Sequence, residues 1–144
     1  MPLFMILVGN TKESEAGQHP PADRVEAMQT YSKKLAESGK LIWGEALYPT
    51  AKGARVLTDE SGNTTVQKGP FEQRSVGAYS VLNADSLDEV VDIVKNHPLH
   101  TPGSGIEIRE IVNLADIPLP PAEKGKVDEL RALMTKNAQA LRQS

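Results

Sequence analysis

The chain has 144 residues, which is enough for one domain with a short appendage. Its net charge of −3 argues against nucleic acid or an anionic membrane as the main partner, because both attract basic patches. It contains no cysteine, which excludes disulfides, iron–sulfur clusters, thiolate zinc sites and a cysteine nucleophile.

The first apolar run, residues 3–8, is too short for a membrane span or the core of a signal peptide. We therefore expect a cytoplasmic protein in which this run forms the first β-strand. Side chains alternate between the two faces of a strand, and all six of these residues are apolar. The sequence thus predicts that both faces of this strand are buried.

The rest of the chain alternates helices and strands. Residues 11–21 are polar, contain two prolines and indicate a loop. Helices are predicted over residues 23–38, from Ser86 to about His97, and over residues 122–141. The middle helix has the clearest start, because Ser86 as N-cap and Glu89 three residues later are typical of a capping box. The predicted strands are residues 41–47, 54–58, 64–67, 76–82 and 105–112, of which 54–58 and 64–67 form a hairpin.

Without the hairpin this order is βαββαβ, which predicts an α+β fold of the ferredoxin-like type. We assign it to residues 1–113, and we assign a proline-rich connection and an amphipathic C-terminal helix to residues 114–144. Two helices cover only one face of a four-stranded antiparallel sheet, so the other face of the first strand needs a second cover. Because exposed apolar sheet is costly, we expect a homodimer in which a second sheet provides this cover. The C-terminal helix is the competing cover.

Polar and aromatic side chains interrupt strands that otherwise look buried. Trp43 and Glu45 lie on one face of their strand, and Glu107 and Arg109 lie on one face of theirs, since residues two apart point the same way. Tyr79 joins them on the central strand. Glu45 or Glu107 would then act as a general acid or base, with Arg109 holding an anionic group. The alternative is a structural Glu–Arg pair, or solvated residues at the rim of the sheet.

Other candidate residues lie in the connections. His97 follows a helix, so it either complements the helix dipole near the surface or acts as the base of a small pocket. Pro98 separates it from His100 and no third ligand is evident, so no metal site is expected. Asn10 either caps a turn or contacts a ligand, and Phe71 either plugs the core behind a rigid turn or contacts a ligand. No phosphate loop or nucleophile elbow occurs, so nothing requires an organic cofactor.

Six short motifs follow one another along the chain. They are Leu-Val-Gly-Asn at 7–10, Gly-Glu-Ala-Leu-Tyr-Pro at 44–49, Gly-Pro-Phe at 69–71, Val-Gly-Ala-Tyr at 76–79, His-Pro at 97–98 and Ile-Glu-Ile-Arg at 106–109. In this order they resemble the YCII-related family, and within it the branch named for an Asp-Gly-Pro-Phe motif. The resemblance spans about residues 3–112 and implies a dimeric α/β barrel with ligand pockets between sheet and helices. Lys68 stands where the motif has Asp, and Gln73 stands where relatives have Glu.

Two functional hypotheses follow. The first is a homodimeric ligand-binding or regulatory protein with a pocket on the sheet face and a protein partner held by the C-terminal helix. The second is a small cofactor-independent lyase or isomerase acting on a compact anionic or aromatic metabolite. The candidate ligand-binding residues are Asn10, Trp43, Phe71, Gln73 and Tyr79. The candidate catalytic residues are Glu45, His97, Glu107 and Arg109.

Overall fold

The computed structural model describes residues 1–71 and 74–142, and these ranges contain the predicted helices and strands. The strands are β1 (Leu3–Gly9), β2 (Leu41–Ala46), β3 (Ala54–Thr58), β4 (Thr64–Lys68), β5 (Val76–Asn83) and β6 (Ile106–Glu110). The helices are α1 (Lys12–Glu15), α2 (Ala22–Glu37), α3 (Leu87–Lys95) and α4 (Pro121–Arg142). Short 3-10 turns lie at Thr50–Lys52 and Leu114–Asp116.

Two antiparallel sheets are present within the described residues. One has four strands in the order β2-β5-β1-β6, and the other is the hairpin of β3 and β4. Every neighbouring pair in the four-stranded sheet is antiparallel. The prediction of an α+β protein is therefore confirmed.

The hydrophobic core lies between one face of the four-stranded sheet and the helices α2 and α3. Phe4, Ile6 and Leu82 contribute side chains that are almost fully buried. Val90 and Val94 of α3 belong to the same cluster, and Leu35 of α2 packs against it. Burying an aliphatic or aromatic side chain of this size stabilises the fold by about 1.5–3 kcal/mol.

The helices α2 and α3 bury one face of β1 more fully than the other. Phe4, Ile6 and Val8 are buried, whereas Met5 and Leu7, which alternate with them, are only partly buried. Burial of the second face was expected to need a second cover, a second copy or the C-terminal helix, and it stays a prediction. The helices reach one side only, as two helices on a four-stranded sheet must.

The start of α3 differs in detail from the predicted capping box. The Ser86 hydroxyl accepts a hydrogen bond from the backbone N–H of Glu89 at 3.2 Å, as expected. The Glu89 carboxylate, however, accepts from the backbone N–H of Asp85 at 2.8 Å and forms an ion pair with Lys40. The Lys40 ammonium and, second, the Asp85 N–H lower the pKa of Glu89. The ion pair thereby links the entry of β2 to the first turn of α3.

Residues 11–21, predicted as a loop, contain the short helix α1. The Thr11 hydroxyl accepts from the backbone N–H of Ser14 at 3.1 Å, and the Ser14 hydroxyl accepts from the Thr11 N–H at 2.8 Å. Reciprocal bonds of this kind satisfy two donors that the start of a helix otherwise leaves unpaired. A single helical turn is too short for hydrophobic periodicity to reveal it.

The chain divides into two compact units, Met1–Ile111 and a second that begins at Val112. The second unit contains α4, which begins at Pro121, close to the predicted start at residue 122. Its described residues include no buried side chain, and Leu130, Leu133 and Met134 are each at least half exposed. No helix in the described part of the chain has the length and apolar character needed to cross a membrane.

Candidate functional site

The face of the four-stranded sheet opposite α2 and α3 carries two adjacent rows of side chains, which we call the open sheet face. Strand pairing places Glu45 opposite Tyr79, Tyr79 opposite Leu7, and Leu7 opposite Glu107 in the first row. The second row, in the same strand order, is Trp43, Val81, Met5 and Arg109. The five residues predicted to lie on one side of the sheet do lie there together.

The open sheet face has an apolar centre and charged edges. Met5, Leu7 and Val81 lie on the two central strands, and all three are partly buried. The indole Nε1–H of Trp43 donates a hydrogen bond to the Tyr79 hydroxyl at 3.2 Å, joining an edge strand to a central one. This pattern is typical of a surface that another apolar surface covers.

The charged edges are solvated in the single chain. Glu45 is exposed, and the ion pair between Arg109 and Glu107, at 3.3 Å, has side chains that are 72% and 60% exposed. An ion pair this exposed contributes only about 0–1 kcal/mol to stability. The carboxylates of Glu45 and Glu107 therefore lie in water in the single chain, and only a second surface over this face would remove them from solvent.

His97 lies away from the open sheet face, on the side of the helices. It is 7% exposed, and its ring packs edge-on against Tyr31 of α2 with 5.1 Å between centroids. Its Nδ1 accepts from the backbone N–H of Leu99 at 3.1 Å. Burial and, second, the nearby His100 lower the pKa of His97 to about 4. The expectation of a surface histidine is wrong, because the His97 ring is buried against Tyr31 of α2.

Asn10 joins three separate segments just after β1. Its side-chain amide donates to Glu15 Oε1 at 3.0 Å and to Ser75 Oγ at 2.7 Å, and its oxygen accepts from Ser14 Oγ at 3.0 Å. A Cβ on Gly77 would lie 2.3 Å from this oxygen, so a larger residue there would displace the Asn10 side chain from these hydrogen bonds. These hydrogen bonds tie the turn after β1 to α1 and to the segment before β5, which agrees with the interpretation of Asn10 as a turn residue.

Glu15 continues this network into the turn at Thr50–Lys52. Its carboxylate accepts from the Thr50 backbone N–H at 2.8 Å and from the Thr50 hydroxyl at 2.5 Å. These two bonds, the hydroxyl's first, lower the pKa of Glu15. The Thr50 hydroxyl accepts in turn from the Phe71 backbone N–H at 2.9 Å, and a Cβ on Gly69 would lie 1.6 Å from the Thr50 carbonyl oxygen. Local sequence patterns point to neither Glu15 nor Thr50.

Phe71 therefore neither plugs the core nor lies on the open sheet face. It lines a separate groove of about 530 Å³ between the β2–β3 connection and the segment before β5. The groove also contains Tyr48 and three cationic side chains, and we call it the basic groove. Its cationic residues are Lys52, Arg55 and Arg74. Gln73, the remaining candidate ligand contact, lies outside the described residues.

The described residues include no group of three or more His, Cys, Asp or Glu side chains that could hold a metal ion. The open sheet face and the basic groove both present groups that can contact an organic molecule. The first offers aromatic hydroxyl, indole and carboxylate groups, and the second offers ammonium and guanidinium groups beside aromatic rings.

Comparison with known proteins gives a family. The model of the YCII-related domain matches residues 3–115. No curated protein matches the sequence significantly. Among solved structures, the chain is similar to 5-chloro-2-hydroxyhydroquinone dehydrochlorinase from Burkholderia phenoliruptrix AC1100 in complex with 2,5-dihydroxybenzoquinone. The sequence identity is 23% and the TM-score 0.41, with 73% of this chain and 90% of that chain covered.

Proposed function

This chain belongs to the YCII-related family, and we propose that it is a homodimeric ligand-binding protein whose protomers pair through the open sheet face. Gly69, Pro70 and Phe71 support a place in the Asp-Gly-Pro-Phe branch, from which Lys68 departs. The proposed ligand is a compact anionic or aromatic molecule held in a chamber between the two sheets. The protein needs no organic cofactor for this role.

The strand order supports the architecture. When the hairpin of β3 and β4 is set aside, the order of elements is βαββαβ and the sheet order is β2-β5-β1-β6. This is the ferredoxin-like arrangement, in which both helices pack on one face of the sheet. Two such protomers packed face to face make a dimeric α/β barrel.

The apolar centre of the open sheet face is the observation that carries the proposal. Met5, Leu7 and Val81 are adjacent across the two central strands, and no described helix of the first unit packs over them. A second copy is the occupant we propose, because a two-fold axis through this face brings two apolar centres together. Each aliphatic side chain fully buried in this way contributes about 1.5–3 kcal/mol.

The same pairing would enclose the polar groups of the face. Trp43 and Tyr79 are already joined by a hydrogen bond, which fixes their rings at one edge. Arg109 offers a guanidinium for an anionic group of the ligand, with Glu45 and Glu107 at the two sides of the sheet. A small molecule in the chamber would thus meet aromatic rings and fixed charges.

The oligomeric state tests this proposal. We expect wild-type protein at micromolar concentration to be a dimer by size exclusion with light scattering, and Leu7→Lys to be a folded monomer, since a buried ammonium opposes pairing. The matched control is Val66→Lys, which places the same charge at a 65% exposed site on the hairpin and should leave the dimer intact. Circular dichroism verifies that both variants fold.

A monomeric wild-type protein would contradict the proposal. So would dissociation by Val66→Lys together with an intact Leu7→Lys dimer, because this would place the interface on the hairpin.

A lyase or isomerase activity is the second candidate function. It is favoured by the direct cross-strand pairing of Glu45 with Tyr79, which puts a carboxylate beside a phenol at one end of the same row. A thermal-shift screen of small carboxylates and phenols would supply the compounds to assay. If the protein turns one of them over, Glu45→Gln should abolish turnover while the melting temperature stays within a few degrees. A large drop in melting temperature would instead assign the residue a structural role.

A further inference from the structure

The basic groove is separate from the two rows of the open sheet face, and we propose that it is a second binding site, for a small organic anion with a planar apolar body. It is built from the β2–β3 connection, the start of β3 and the segment that leads into β5. Its volume of about 530 Å³ lies in the range of about 300–1,000 Å³ that small-molecule sites occupy.

The charge of the groove is opposite to that of the chain. The chain carries a net charge of −3, whereas the groove brings together Lys52, Arg55 and Arg74. None of the described residues that line it is an aspartate or glutamate. Like charges repel, so a cluster of three cations in an acidic protein points to a ligand of negative charge.

Two of the three cations are held by aromatic rings, and the third, Arg74, donates from one Nη to the backbone carbonyl of Gly103 at 3.3 Å. Lys52 Nζ lies 3.9 Å from the centre of the Tyr48 ring, and Arg55 Cζ lies 3.9 Å from the centre of the Phe71 ring. In the described part of the chain, neither cation has a carboxylate within ion-pair distance. A ring face orients a cation but does not neutralise it, so its N–H donors stay available to an anion.

The wall of the groove is fixed before any ligand arrives. Thr50 is 8% exposed, donates its hydroxyl to Glu15 and accepts the backbone N–H of Phe71. Phe71 in turn lies beneath Arg55. The Glu15 carboxylate is committed to hydrogen bonds from Thr50 and Asn10. A preformed wall lowers the entropy lost on binding, so even a compact ligand can bind.

The chemistry of the groove selects the ligand class. Two guanidinium groups suit the planar, two-oxygen geometry of a carboxylate or the oxygens of a phosphate ester. The rings of Tyr48 and Phe71 and the side chain of Val76 suit a flat apolar body. A planar organic anion satisfies both parts, whereas a bare inorganic anion uses only the first.

Titration of the full chain with benzoate, followed by amide chemical shifts in NMR, tests the site. We expect benzoate to shift amide signals of residues 48–55 and 74–76, and the neutral benzyl alcohol to bind at least about tenfold more weakly. The double variant Arg55→Gln/Arg74→Gln should weaken benzoate at least about tenfold. The matched control Lys34→Gln/Arg131→Gln removes the same charge from exposed helix positions and should leave the affinity unchanged.

Two further arms keep the test independent of how the variants fold. For wild-type protein, raising NaCl from about 20 mM to about 300 mM should weaken benzoate several-fold and benzyl alcohol little. Phenyl phosphate should displace benzoate from the same amides. Leu7→Lys should still bind benzoate, which separates this site from the dimer proposed above.

Three results would overturn the assignment. They are equal binding of benzyl alcohol and benzoate, unchanged benzoate affinity in the Arg55→Gln/Arg74→Gln variant, and shifts confined to residues outside the groove.

Discussion

His97 illustrates how burial changes one residue in a way that local sequence does not reveal. It follows α3 and precedes a proline, a position typical of a solvated helix end, yet its ring is packed against Tyr31. Tyr31 is itself partly buried, and this burial raises the pKa of its hydroxyl to about 12; the hydroxyl donates to the carbonyl of Ile93 at 3.2 Å. The imidazole therefore belongs to the packing between α2 and α3.

This packing makes the stability of the protein sensitive to acid. The pKa of His97 is about 4 in the folded chain and 6.5 for an ordinary histidine, so the unfolded chain takes up a proton first as pH falls. The neutral His97 therefore contributes about 3 kcal/mol at most to the free energy of unfolding. This contribution is present above pH 6.5 and is lost as the pH falls from about 6.5 to about 4.

Chemical denaturation of wild type and His97→Gln at pH 7 and pH 5 measures this contribution. Glutamine does not titrate, so we expect the difference in free energy of unfolding between wild type and His97→Gln to be about 2 kcal/mol smaller at pH 5 than at pH 7. His19→Gln, at an exposed site, is the control and should match wild type at both values. A difference for His97→Gln that is the same at pH 7 and pH 5 would refute this.

At the scale of elements, Glu15 connects α1 to the turn that begins at Thr50 and, through it, to Phe71. Because the hydrogen bonds from Thr50 lower the pKa of this carboxyl, its stabilising effect is present above about pH 4.5 and is lost as pH falls through the lowered value. Glu15→Gln removes the charge and keeps the shape. We expect it to lower the melting temperature at pH 7 and to approach wild type near pH 3.

The control for this experiment is Glu13→Gln, on the same short helix at an exposed position. It should leave the melting temperature within about 1 °C of wild type at both pH values, as surface substitutions usually do. If Glu13→Gln and Glu15→Gln behave alike, the network does not stabilise the protein.

The strands and long helices were predictable, because hydrophobic periods of 2 and 3.6 are local properties of the sequence. The same period placed Glu107 and Arg109 on one face of β6, opposite the isoleucines that pack on the core. The basic groove was not predictable, because its two segments are 16 or more residues apart, as Arg55 and Phe71 show. They are joined by backbone hydrogen bonds such as Leu47 N–H to Gly77 O and Gly69 N–H to Gly53 O, which no local pattern encodes.

At the scale of the whole molecule, the first unit is chemically two-sided. Its apolar sheet face is the proposed site for a second copy, and its basic groove, lined by connections, is the proposed site for a small anion. Sequence reasoning found the first because both apolar faces of β1 are visible in a run of six residues. It missed the second because the net charge of the chain conceals a local excess of cations.

Removing the C-terminal helix distinguishes the two covers considered for the open sheet face, a second copy of the chain and α4 itself. The core cluster of Phe4, Ile6, Leu82 and their neighbours lies entirely within Met1–Ile111, so a chain ending at Asn113 should fold. We expect it to melt within a few degrees of the full chain and to remain a dimer by light scattering, since the proposed interface uses only sheet residues.

The same truncation combined with Leu7→Lys completes the test. If a second copy covers the sheet, the truncated variant should be a monomer, as the full-length variant is. If α4 covers the sheet instead, truncation alone should expose Met5, Leu7 and Val81, and the protein should bind a hydrophobic dye and lose melting temperature. The two covers therefore predict opposite effects of removing residues 114–144, because only one of them places the apolar centre of the sheet under the helix.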